Sequence, residues 1–230
     1  MVLSNQRVNL FPFWCKFLFL FLGATSAPSA MAAPLDQAYF SSKNVQINSI
    51  SQSTWHELLD SIRSMGEKQQ VEQVNFYFNS VIQYVTDEQN WGVPDYWSTP
   101  AELLEKGAGD CEDLAIAKYF SLIFAGVPAN KLLLSYAYLA MPTNNSVKQT
   151  PHMVLAYFPT GSAEPLILDN FNPDIRQLSK RKDLDSVLYF NTTVLISAKT
   201  KNTYPIAKYL PWSDFLSRSD TKSFLKANGQ

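Results

Sequence analysis

Gly107-Ala108-Gly109-Asp110-Cys111-Glu112-Asp113-Leu114-Ala115 runs from a turn into a helix and carries one of the two cysteines of the chain. The run from about Asp110 to Phe124 has the length and apolar content of a helix, and Gly126 and Pro128 end it. Cys111 therefore stands at a helix N-terminus. Unpaired backbone N–H groups there favour a negative charge, and the thiolate is the nucleophilic form of cysteine. The glycines before it would let a substrate backbone come close. A buried structural cysteine is the alternative reading.

Moving upstream, Thr99-Pro100-Ala101-Glu102 is a strong helix start, with Thr99 as cap, Pro100 in the first position and Glu102 reaching back. That helix stops at Gly107. Before it lies a loop containing Trp91, Gly92, Pro94, Asp95, Tyr96 and Trp97. Two amphipathic helices precede the loop. One covers Thr54 to Met65, with Thr54 and Glu57 as a capping box and Trp55, Leu58, Leu59, Ile62 and Met65 on one face. The other covers about Glu67 to Val85, with the stripe Val71, Val74, Phe78, Val81, Ile82 and Val85.

Downstream the period changes from helical to strand-like. Lys131 to Leu139, His152 to Phe158 and Leu166 to Leu168 read as strands, as do Val187 to Phe190 and Val194 to Ser197 around Asn191-Thr192. Met141 to Thr150 reads as a polar loop, and a short helix starts near Ser213. Helices first and strands afterwards predict an α+β domain, with N-terminal helices packed on an antiparallel sheet. There is no internal repeat.

A thiolate needs a base, and the chain has only two histidines. His56 lies opposite the Leu58 stripe of its helix and reads as a surface residue. His152 opens an apolar strand, from which it could face the helix of Cys111. Asp169 follows 17 residues later at the end of the next strand, where its carboxylate could orient the imidazole. A solvated His152 with a turn-forming Asp169 is the other reading of this spacing. Backbone N–H of Cys111 and the indole N–H of Trp91 or Trp97 are candidate oxyanion donors, the tryptophans otherwise being packing residues.

Asp110, Glu112 and Asp113 crowd the cysteine. Acids favour the first turn of any helix. Three carboxylates nevertheless oppose formation of a thiolate beside them. A bound cation would remove the conflict, and carboxylate oxygens select a hard ion, outside the cytoplasm calcium.

At the N-terminus, Arg7 precedes the apolar stretch Leu10 to Leu22, and Ala30-Met31-Ala32 is a cleavage pattern before Ala33. Residues 1–32 read as a secretory signal peptide and 33–50 as an irregular lead-in, leaving 51–230 as the folded domain. A membrane anchor is the alternative, but the apolar core is shorter than the roughly 18 residues of a span and contains Lys16. Removing residues 1–32 leaves 17 basic and 20 acidic side chains and Cys111 as the one cysteine. No internal disulfide is then possible, and the leftover thiol suggests reactivity. No basic excess points to nucleic acid or an anionic membrane.

Several of these blocks together resemble the bacterial transglutaminase-like cysteine peptidases. They are Tyr96-Trp97-Ser98-Thr99-Pro100, Gly109 to Ala115 followed by Lys118 and Tyr119, Gly126-Val127-Pro128, His152-Met153-Val154-Leu155 and Leu168-Asp169-Asn170. The resemblance spans about residues 75 to 195. It implies a transglutaminase-like (papain-like) α+β fold, with Cys111 as nucleophile, His152 as base and Asp169 as orienter. It implies a calcium site using Asp110 and Glu112, with Asp113 a further possible ligand and the rest from the loop Val93 to Tyr96, which includes Asp95. The adhesin-cleaving members imply a periplasmic protease that cuts a large surface adhesin near its N-terminus, at consecutive alanines. They also imply an inner-membrane receptor that holds the protease until cytoplasmic cyclic diguanylate falls, releasing cells from biofilm. A transglutaminase or amidase shares the acyl-enzyme step and differs only in the acceptor. A non-catalytic binding module is a third reading, which an intact triad disfavours.

Overall fold

Cys111 is the first residue of a helix buried on nearly every side. The computed structural model describes residues 52–160, 162, 164–218, 221, 222 and 226. The predicted signal peptide and lead-in lie outside them. The helix, Cys111–Phe124, is the fifth among the described residues (α5), and every residue from Cys111 to Leu122 is buried. A helix with apolar side chains on every face must be covered on every face. Here α2 (Glu67–Val81) and α4 (Pro100–Lys106) cover one side and the sheet covers the other. The first described helix, α1 (Gln52–Ile62), buries Trp55, Leu58, Leu59 and Ile62 and is tied to α5 by Trp55 Nε1 donating to Ser121 Oγ at 2.8 Å. His56 is exposed, as its position on the helix predicted, while Met65 falls beyond the helix end and is exposed too.

The second helix stops four residues earlier than its apolar stripe suggests. Ile82 turns extended, and Gln83–Tyr84 (β1) pairs in parallel with Ala108–Gly109 (β2). Gln83 N–H donates to Gly107 O and Val85 N–H to Gly109 O, both at 3.0 Å. The backbone hydrogen bonds gained by this small ladder override helical periodicity. They also fix the chain immediately before Cys111. The loop after it contains an unexpected helical turn, α3 (Asp87–Trp91), ended by Gly92 in the left-handed region (φ 72). The start of α4 is as read. Thr99 Oγ1 accepts from Glu102 N–H at 3.2 Å, and Glu102 Oε2 accepts from Thr99 N–H at 2.7 Å.

Seven antiparallel strands form the sheet in the order β6-β5-β4-β3-β7-β8-β9. They are β3 (Leu132–Pro142), β4 (Val147–Tyr157), β5 (Leu166–Leu168), β6 (Arg176–Gln177), β7 (Leu184–Phe190), β8 (Val194–Ser197) and β9 (Thr203–Pro205). The expected polar loop from Met141 to Thr150 is instead a hairpin with its tip at 143–146. Backbone pairing of Leu139 with Thr150, through to Pro142 with Val147, needs no apolar side chains. Leu132, Leu134, Met153 and Leu155 join the helix-side core, while Ala137, Leu139, Val154 and Ala156 form a second core on the other face. That division is the period-2 alternation of a sheet covered on both faces. The helix α6 (Leu210–Ser217) buries Trp212 and Phe215 against α5 and β7 through Phe120 and Phe190. Among the described residues no helix is long and apolar enough to cross a membrane.

Candidate active site

The start of α5 is held by Asp113. Its Oδ1 accepts the Ser98 N–H at 2.7 Å and its Oδ2 the Asp110 N–H at 3.3 Å. The reason for Gly109 follows from this. A Cβ there would lie 2.5 Å from Leu103 Cδ1 and 2.6 Å from Asp113 Oδ2. Its missing side chain makes room for Leu103 and for the Asp113 carboxylate. Cys111 is 5% exposed, and its Sγ donates to Glu112 Oε2 at 3.0 Å. It shares a packed cluster with Met153, the residue after His152, because α5 lies on β4.

His152 lies where β4 runs on beyond its pairing with β5, which stops at Leu155 with Leu168. Asp169 is the residue directly after β5. Its Oδ1 is 2.7 Å from His152 Nε2, and both residues are buried. Oδ1 also accepts the Phe171 N–H at 2.9 Å, and Oδ2 accepts from Arg181 Nη2 at 2.7 Å. Burial pushes the Asp169 carboxyl up, but the His152 hydrogen bond and charge, the Phe171 N–H and the Arg181 charge outweigh it and hold it at about 2. On the helix side, Asn79 Nδ2 donates to the Asp169 carbonyl at 2.8 Å, and Lys118 Nζ donates to Asn79 Oδ1 at 2.7 Å. Burial lowers the Lys118 ammonium to about 7, against the pull of Asp169. No sequence motif marks Asn79 or Arg181. Each has ordinary neighbours, and only tertiary contact brings it to Asp169.

A second group of acids surrounds the cysteine. One oxygen each of Asp87, Asp95 and Glu112 lie within 4.8 Å of one another, and so do those of Asp87, Asp110 and Asp113. Asp110, Cys111 and Glu112 form a third such set. Asp95 thus joins the cluster from its loop, and Asp113 joins it although both its oxygens already accept backbone N–H groups. No sequence motif marks Asp87, which lies in the first turn of the short helix α3. Its carboxyl is pushed up to about 7 by burial and then by Glu112, against a 2.7 Å hydrogen bond from Tyr96 N–H. Asp95 is raised to about 6 by burial and Glu112, with Trp97 Nε1 donating to it at 3.1 Å. Asp110 and Asp113 are pushed up strongly, first by burial and then by Glu112.

Buried carboxylates this close need protons or a cation. Asp87 Oδ1 and Asp110 Oδ1 are buried and have no hydrogen-bond partner among the described residues. An all-oxygen donor set with open lone pairs fits a hard divalent ion. Trp97, bonded to Asp95 and packed near Phe190, Tyr209 and Trp212, is a packing residue with its indole N–H engaged. The Trp91 Nε1 has no such partner among the described residues.

The sequence profile of the bacterial transglutaminase-like cysteine proteinases matches residues 30–183. Three solved structures of LapG from Legionella pneumophila are similar. The EGTA-treated form is 40% identical, with a TM-score of 0.61, covering 72% of this chain and 86% of that one. The calcium-bound form is 37% identical, with a TM-score of 0.61, covering 71% and 88%. A third LapG structure is 39% identical, with a TM-score of 0.60, covering 72% and 84%. No curated protein matches the chain.

Proposed function

The chain belongs to the bacterial transglutaminase-like cysteine proteinase family, with that family's α+β fold, and from this premise we propose a calcium-dependent cysteine endopeptidase with Cys111, His152 and Asp169 as its triad. The observation that carries the reading is the buried 2.7 Å contact between His152 Nε2 and Asp169 Oδ1, beside the helix that starts at Cys111. With Nε2 committed to Asp169, Nδ1 is the ring nitrogen left to take the thiol proton. The thiolate attacks the scissile carbonyl, and the imidazolium returns that proton to the leaving amine. Water, deprotonated by the neutral imidazole, then cleaves the thioester and restores the thiol. The helix N-terminus, with the Cys111 N–H, supports the oxyanion.

Asp110, Glu112, Asp87 and Asp95, with Asp113 beside them, would hold a calcium ion, whose charge offsets the carboxylates around the thiol. A calcium-bound relative supports this assignment. By family resemblance, the substrate is a large cell-surface adhesin cut near its N-terminus in the periplasm. By the same resemblance, an inner-membrane cyclic diguanylate receptor sequesters the protease, and its release frees cells from biofilm. The test is incubation of the secreted chain with adhesin N-terminal segments. Cleavage is expected with calcium, and none with chelator, with Cys111→Ala or after addition of the receptor's periplasmic domain. Cleavage by Cys111→Ala would refute the enzyme assignment, and indifference to the receptor would refute only the regulation.

A further inference from the structure

We propose that Arg181 is a positioning residue for the peptidase reaction: it holds one carboxylate oxygen of Asp169 so that the other stays on His152. The inference rests on the triad reading above. A carboxylate fixed through one oxygen can swing about its last torsion and carry the imidazole with it. Asp169 is fixed through both. Oδ1 meets His152 at 2.7 Å and Oδ2 meets Arg181 Nη2 at 2.7 Å. Arg181 is itself clamped. Its Nε donates to Asp183 Oδ1 at 3.0 Å and its Nη2 to Asp183 Oδ2 at 2.8 Å. Its N–H donates to Leu178 O at 2.9 Å, and its carbonyl accepts from Leu184 N–H at 3.2 Å. One planar fork thus locks two carboxylates, a geometry that a lysine cannot reproduce.

Charge gives the second reason. His152 changes charge during the reaction, so it cannot by itself keep a buried Asp169 ionised throughout. The groups facing Asp169 are His152 from β4, Lys118 from α5, Arg181 and, through it, Asp183 from the segment before β7, with Asn79 from α2 and the Phe171 N–H as neutral donors. Lys118 is fully buried, and that burial weakens its own charge. Arg181 is 2% exposed and remains charged at any working pH. It is the fixed positive charge of the group.

The experiment compares Arg181→Met and Arg181→Lys with wild type in calcium, using a peptide that carries a consecutive-alanine site. It reads kcat, KM and the pH profile of kcat/KM, with circular dichroism to confirm folding. Arg181→Met is expected to lower kcat about 10–100-fold, the scale on which loss of an orienting partner acts, with KM little changed. Its acidic limb should move to higher pH, because Asp169 then takes a proton more readily. Arg181→Lys keeps the charge but not the fork, so its limb should stay in place while kcat falls by roughly threefold to tenfold. A folded Arg181→Met with the wild-type kcat and limb overturns the proposal. If Arg181→Met does not fold, Arg181→Lys decides alone, and a wild-type kcat there overturns it. Cys111→Ala measured alongside separates the two readings. Turnover surviving in Cys111→Ala sinks the triad, whereas a dead Cys111→Ala beside an unaffected Arg181→Met sinks only the positioning role.

Discussion

The thiol of Cys111 donates to the carboxylate of Glu112, its neighbour in the first turn of α5, at 3.0 Å. A helix N-terminus favours a thiolate. A carboxylate acceptor at hydrogen-bond distance instead retains the proton on sulfur. The two influences oppose each other at one atom. On the proposed reading, engaging Glu112 with a cation removes the opposition, and the acidic cluster would be a condition of nucleophilicity.

A calcium chelator should therefore abolish cleavage, and added calcium should restore it. Magnesium should restore it poorly, because it demands a tighter octahedral shell at about 2.1 Å and gives up water reluctantly. Asp110→Ala, Glu112→Ala and Asp87→Ala should each weaken calcium uptake and cleavage together, while Cys111→Ala leaves uptake largely intact. Calorimetry of metal binding beside a chelator titration of activity checks this. Full activity in excess chelator would reduce the cluster to a capping feature.

Asp87 at about 7 and Asp95 at about 6 both lie above the ordinary carboxylate value. A folded chain with raised carboxyls holds protons that the unfolded chain releases. Their stabilising contribution in the metal-free protein is thus present below about pH 4 and is lost as pH rises through the folded values to 7. In chelator, this cluster should lower the melting temperature between pH 5 and pH 7.5 by at least about 3 °C, since ~1 kcal/mol moves a domain of this size by ~2–4 °C. Calcium should stabilise more at pH 7.5 than at pH 5. Differential scanning calorimetry at the two pH values, with Asp87→Asn as control, reads it. A calcium increment independent of pH would count against it.

Asp113 accepts backbone N–H groups from Ser98 at 2.7 Å and from Asp110 at 3.3 Å. Asp113→Ala strands both buried donors and should cost about 1–3 kcal/mol of stability for each one left unsatisfied. Its loss should appear in urea denaturation even in chelator, where Asp110→Ala should cost less, because relief of a buried, crowded carboxyl offsets the loss of the helix cap. Equal destabilisation by both variants would contradict this division of roles.

His152→Ala should damage turnover as severely as Cys111→Ala, and the double variant should be little worse, because residues acting as one unit are not additive. Asp169→Asn should keep the fold while favouring the wrong imidazole tautomer. Steady-state kinetics on the four variants decide it. Full activity of His152→Ala would break the pairing.

Local signals were legible in the sequence where one residue's neighbours determine its conformation. Thr99-Pro100-Ala101-Glu102 builds the capping box it spells, and the apolar run after Cys111 becomes the central helix. His152 and Asp169 meet because adjacent strands bring their ends together. What stayed hidden depends on backbone pairing or on distant partners. Val85 continues a helical stripe, yet its N–H goes to Gly109 O in a parallel ladder. Val147 to Thr150 are polar or exposed, yet they extend β4 through backbone bonds alone. Asp87 and Arg181 carry no motif. The first reaches the cluster through a five-residue helix, and the second reaches Asp169 from a segment twelve residues downstream.

The most direct test of the central claim is the rate at which iodoacetamide alkylates Cys111 at pH 6 in the chain beginning at Ala33, which has no other thiol. The account predicts reaction at least about tenfold faster than free cysteine when calcium is present, since an activated thiolate has a pKa far below the ~8.5 of the free thiol. Chelator and His152→Ala should each abolish the excess. A rate equal to that of free cysteine, unchanged by calcium and by His152→Ala, would contradict it.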